Sequence, residues 1–114
     1  MSEDRIEKLT QINNLLDVYG PLLTERRREA LRLCYEEDLS LSEIAALSGT
    51  TRQAAHDQIR CGERQLLAYE AALHIVDERR RRQEAGERLR AALLPLLPDN
   101  GDRAEIEALI ASLT

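Results

Sequence analysis

Between Ile6 and Leu113, outside the charged run 77–84, the apolar residues of this chain recur at steps of three and four, and no segment alternates apolar with polar side chains. A stripe of that period lies along one face of an α-helix, whereas a half-buried strand needs a period of two. The kinds of apolar residue agree: 20 Leu, 14 Ala and 7 Ile stand against 2 Val and no Phe or Trp, a set that suits helices and starves strands. The expected fold is all-α. At 114 residues, 43% apolar and 32% charged, the chain has the size of one domain with its own core. Both signs of charge interleave, as on solvated helix faces rather than in a disordered tail.

The stripe Ile6, Leu9, Ile12, Leu16, Tyr19 predicts a helix from Asp4 to Tyr19, which Gly20-Pro21 stops. Thr24 is a good N-cap for a second helix running through Leu31 and Cys34 toward Asp38, with Arg26, Arg27 and Arg28 near its start. Three cations in a first turn oppose the helix dipole. The plain reading of the triplet is a solvated face partly neutralised by Glu25 and Glu29. Next, Ser40 and Glu43 form a capping box and Gly49 closes a helix of about two turns, while Thr50 and Gln53 read as a second capping box that opens the following helix at once. Two helices joined by a few residues centred on Gly49 have helix-turn-helix spacing. Ala45 is small where the helices cross, Gly49 can take the positive φ of a tight turn, and Ile44, Ala55 and Ile59 supply the shared apolar face.

Beyond Thr51 only Gly62 and Gly86 interrupt the pattern before Pro95, so one long helix or two nearly continuous ones are expected. Positions 55, 59, 62, 66, 69, 73 and 76 form a short heptad seam. It packs on the chain's own N-terminal helices, on a second copy, or on both. Residues 77–84 carry no apolar side chain and read as a solvent-bridging helical turn or hinge. Leu89, Leu93, Leu96 and Leu97 resume a buried face, Pro95 and Pro98 end it, and Asp102 with Glu105 caps a last helix bearing Ile106, Leu109, Ile110 and Leu113. The tail is thus a helical hairpin. The expected division is 1–76, a helix-turn-helix domain with the start of the long helix, and 77–114, a C-terminal helical extension of the same domain.

The 16 Lys+Arg against 21 Asp+Glu give a net charge of −5, which counts against charge-driven nucleic-acid binding by the chain as a whole but leaves a local patch open. Cys34 and Cys61 show no C-x-x-C spacing, so neither zinc nor a disulfide framework is indicated. The start Met1-Ser2-Glu3-Asp4 is acidic, no signal peptide is visible, and no apolar run approaches the ~20 residues of a membrane span. A cytoplasmic protein is expected. Phosphate-loop, dinucleotide, zinc-protease and nucleophile-elbow motifs are all missing. His56 and His74 stand about five helical turns apart, too far to share a metal. No enzyme, metal or cofactor is therefore expected.

Tyr19-Gly20-Pro21-Leu22-Leu23-Thr24, then residues 38–45 (DLSLSEIA), then residues 51–60 (TRQAAHDQIR), and finally Glu63 and Tyr69-Glu70 stand in an ordered array over residues 10–76. This array resembles the YlxM-like helix-turn-helix proteins of Gram-positive bacteria, and also region 4 of sigma-70-type factors. The resemblance implies a small cytoplasmic nucleic-acid-binding protein, tied by gene neighbourhood to the signal recognition particle pathway. On a DNA reading, the helix from Thr51 enters a major groove, Thr51, Arg52, Gln53 and His56 face bases or phosphates, Arg60 follows along the helix, and Arg26, Arg27 and Arg28 hold the backbone. For Gln53 the plainer role is capping, and for His56 a half-exposed helix position. Over residues 39–65 Arg52, Arg60 and Arg64 are balanced by Glu43, Asp57 and Glu63, so the motif itself is neutral. The other reading is therefore an adaptor that binds the protein or RNA of the signal recognition particle through the long helix and Arg79 to Arg82. A homodimer is expected from the seam between Ile59 and Val76 and from the C-terminal leucines.

Overall fold

A computed structural model describes residues 3–114; Met1 and Ser2, half of the acidic start, lie outside the described residues. The order is α1 (Glu3–Tyr19), a 3-10 turn (Gly20–Leu22), α2 (Glu25–Tyr35), α3 (Leu41–Ser48), α4 (Arg52–Leu73), α5 (Ile75–Leu93), a second 3-10 turn (Leu94–Leu96) and α6 (Gly101–Leu113). Among the described residues there is no strand, so the protein is all-α. It divides into two compact units, the first ending at His74 and the second spanning Ile75–Thr114. At the junction His74 takes a left-handed conformation, φ 54°, and the long apolar run becomes two nearly continuous helices.

In the first unit α4 is the central rod, with α1, α2 and α3 packed on it. Its seam residues Ala55, Ile59, Gly62 and Leu66 are all buried. Leu31, Ile44 and Ala45, with Ile12, Leu15, Leu16 and Tyr19, are buried with them in the core. This half of the seam is therefore taken up within the chain, whereas Leu73 is 51% exposed. Each fully buried Leu or Ile contributes about 1.5–3 kcal/mol, and the most extensive contact between helices is that of α2 with α4. Gly62 permits it: a Cβ there would lie 2.7 Å from Leu31 Cδ1.

Two tyrosines bolt the N-terminal helices to α4. Tyr19 Oη donates to Glu70 Oε1 at 2.6 Å, and its ring lies 5.8 Å from that of Tyr69. Tyr35 Oη donates to Glu63 Oε1. Asn13 Nδ2 donates to the carbonyl of Tyr35, satisfying one of the free acceptors at the end of α2. That helix stops at Tyr35, short of Asp38, which takes a positive φ of 55° in the loop.

The second unit is a hairpin of α5 and α6. Gly86 and Ile110 are buried where the helices touch, and a Cβ on Gly86 would meet Ile110 and Thr114. Leu94, at 9% exposure, is the buried leucine of the turn, whereas Leu89 and Leu96 are 42% and 78% exposed; this corrects the face expected from the sequence. Asn100, not Asp102, caps α6, its Oδ1 accepting from the Asp102 amide at 2.9 Å. The charged run 77–84 lies inside α5, with Asp77 pairing with Arg80 at 2.9 Å and Arg81 at 3.3 Å.

Candidate nucleic-acid interface

The turn between α3 and α4 follows from local chemistry. Ser40 Oγ accepts from the Glu43 amide at 3.2 Å while Glu43 accepts from the Ser40 amide at 3.1 Å, a complete capping box. The bond from the Ser40 amide first, and an interaction with the Ser40 side chain next, hold the Glu43 carboxyl below its usual range. Gly49 ends α3 with φ 65°, and the Thr50 amide bonds back to the Ala45 carbonyl at 3.0 Å. One residue later α4 begins. Its N-cap is Thr51, whose Oγ1 accepts from the Ala54 amide at 3.1 Å. The sequence-based frame, Thr50 with Gln53, is thus one residue early: Gln53 Nε2 instead donates to Asp57 Oδ1 at 3.0 Å.

At 100° per residue, Gln53, Asp57, Arg60 and Arg64 fall opposite the buried line of α4, and all four are exposed. Arg52, one heptad before Ile59, falls on the side of the buried line instead and is exposed because it stands in the first turn, at the end of the helix. Among the described residues Arg52, Arg60 and Arg64 have no carboxylate within 4.0 Å. Glu63, which balances them in the sequence count, turns inward instead. Its side chain is only 15% exposed and is held by Tyr35 and by Lys8 at 3.9 Å. Burial, together with the bond to Glu63 and that carboxylate's charge, pushes the Tyr35 phenol above the usual tyrosine range. The outer face of α4 therefore carries Arg60 and Arg64 against Asp57, with Arg52 exposed at the start of the helix, although the motif as a string is neutral.

The arginine triplet on α2 does not act as one patch. Arg27 is half-buried and bridges to α4, its Nε donating to Gln58 Oε1 at 3.2 Å and a terminal nitrogen to Gln65 Oε1 at 2.7 Å. The side chain of Arg28 lies over Gly20, where its Nε would be 3.4 Å from an added Cβ. Arg26 is exposed and lines a groove between α2 and α3 with Leu33, Leu47 and Ser48. Arg32 is locked by Glu29 at 2.7 Å and Glu37 at 3.0 Å. His56 is half-buried, its Nδ1 closed off from solvent and 3.7 Å from Asp57 Oδ1. Sequence reasoning missed the Arg27 bridge and both tyrosine bolts, although the paired residues Tyr19, Glu63 and Glu70 belong to the motif array it singled out. Among the described residues no cluster of ligating side chains could hold a metal, and no helix is long and apolar enough to cross a membrane.

A family model described as "Putative helix-turn-helix protein, YlxM / p13 like", UPF0122, matches residues 6–97. The chain belongs to this family. UPF0122 proteins similar to it include one from Clostridium botulinum, 45% identical over 82 residues and covering 72% of each chain. Another, from Symbiobacterium thermophilum, is 43% identical over 103 residues, 90% of this chain and 89% of the relative. A third, from Lactiplantibacillus plantarum, is 46% identical over 70 residues, 61% of each. The UPF0122 match runs past residue 76, where the sequence array ends, and takes in α5 and the turn that follows it.

Proposed function

We propose that this chain is a DNA-binding helix-turn-helix protein with a regulatory or accessory role, in which the N-terminal half of α4 enters the major groove. The observation that carries the reading is the exposed surface of α4, where Arg52 at the helix start and Arg60 and Arg64 on the outer face stand without carboxylate partners while Glu63 is folded inward. Arg52, ahead of the capped first turn, is the base-reading residue, since arginine pairs in bidentate fashion with guanine. Arg60 and Arg64, two and three turns along, meet phosphates as the helix leaves the groove floor. Gln53 must release Asp57 to contact adenine, and Thr51 and His56 border the same end of the helix. Arg26 serves as a backbone contact from α2, with Arg28 beside it, whereas Arg27 positions α4 rather than touching DNA. The role is binding and not catalysis, and it is exercised in the cytoplasm, where Cys34 and Cys61 stay reduced.

A gel shift against random-sequence duplex at low and moderate salt tests this reading, with binding that weakens as salt rises as the expected result. The net charge of −5 and the arginine run Arg79–Arg82 favour a second reading, an adaptor of the signal recognition particle. Its test is a pull-down with the particle's protein and RNA. Capture of either by a chain that shifts no duplex, even at low salt, would replace the first reading with the second.

A further inference from the structure

The hairpin of α5 and α6 leaves one side open. Taking the mutual contact of Gly86 and Ile110 as zero, Leu89 lies 60° before the contact line on α5, and Leu113 and Leu109 lie 60° and 100° before it on α6. Because the two helices run antiparallel, equal rotations in the same sense fall on the same side of the hairpin. Leu89, Leu109 and Leu113 therefore share a face, and they are 42%, 57% and 68% exposed. A two-helix unit of this size does not bury enough apolar surface alone, and its stripe calls for a covering layer.

The charge at the rims of this face indicates what covers it. On the α5 side stands Arg88, and on the α6 side Asp102 and Glu105; among the described residues none has an opposite charge within 4.0 Å. Over their lengths α5 carries six arginines against four carboxylates, and residues 94–114 carry four carboxylates against one arginine. A face that is basic along one edge and acidic along the other is self-complementary under a two-fold rotation about an axis parallel to the helices. Each α5 then lies antiparallel to the partner's α6. A two-fold axis across the helices would instead set α5 on α5 and α6 on α6, like charge on like.

We infer that a second copy of this chain covers the hairpin, giving a symmetric four-helix bundle closed around Leu89, Leu109 and Leu113 with each α5 against the partner's α6. This goes beyond the DNA reading and does not rest on it. Sedimentation equilibrium of the full chain is expected to give a particle of twice 13.0 kDa, and Leu109→Glu with Leu113→Glu is expected to return it to 13.0 kDa with its helical circular dichroism kept. Arg88→Glu, a surface change that spares the fold, should raise the dimer dissociation constant roughly two- to five-fold, and adding Glu105→Arg should restore it. A wild-type monomer at high concentration, or a dimer indifferent to the two leucine changes, overturns the inference. Tighter association on Arg88→Glu, or no rescue by the swap, overturns the pairing of α5 with α6.

Discussion

Arg27 and Arg52 are the same side chain in opposite employment. Arg27 spends its donors on Gln58 and Gln65, so Arg27→Ala should cost about 1–3 kcal/mol of stability, seen as a lower denaturant midpoint. Arg52 is bonded to nothing among the described residues and is exposed. Arg52→Ala should therefore leave the midpoint alone and cost about 1–3 kcal/mol of duplex binding; equal binding by wild type and variant at every salt concentration would remove it from the interface. No sequence pattern tells these roles apart, because Arg27 is recruited only once α2 crosses α4. Tyr35 makes a pH prediction. Its phenol is held protonated by burial first and Glu63 next, so its pKa is higher folded than unfolded. Its contribution is then complete below the ordinary tyrosine value of about 10 and is lost as pH climbs from there toward the folded value. Urea midpoints should fall over that range, and less so in Tyr35→Phe.

Two glycines of the helix-turn-helix unit separate backbone cost from packing cost. Gly49 sits at φ 65° with nothing within 4 Å of a Cβ, so Gly49→Ala should lose about 1 kcal/mol through conformation alone. Gly62 is helical, and alanine there gains about 1 kcal/mol of helix propensity but drives a methyl to within 2.7 Å of Leu31, which is fully buried. Overpacking of about 1–3 kcal/mol should win, and a Gly62→Ala chain more stable than wild type would show that Leu31 can move. Ser40, Glu43 and Gly49 were legible because a cap and a left-handed stop are local. The start of α4 was not: Thr50 and Thr51 can both cap, and the amide three residues on is present whatever its side chain, so Gln53 could not decide. Pro95, the second residue of the 3-10 turn Leu94–Leu96, ends the α-helical register there, so the period that marked Leu96 as buried does not hold across it.

For the molecule as a whole, helix content and the order of elements were readable from periodicity, while the charge of the working face was not. A sequence count treats Glu63 as surface; the fold removes it. Binding should therefore behave as that of a small positive face on an acidic protein. If Arg60, Arg64 and Arg26 meet phosphates, log affinity should fall with log salt at a slope of roughly −3, and a slope near zero would rule out that set of contacts. The tyrosine bolts carry one more consequence. The chain has three Tyr and no Trp or Phe, and all three tyrosines lie in the unit that ends at His74, at the contact of the N-terminal helices with α4. Near-ultraviolet dichroism thus watches that contact alone and is blind to the hairpin, whereas far-ultraviolet dichroism sums both. A thermal melt recorded at the two wavelengths is a built-in test of cooperativity: coincident curves mean the two units unfold as one, and any gap between the midpoints belongs to the spectroscopically silent hairpin.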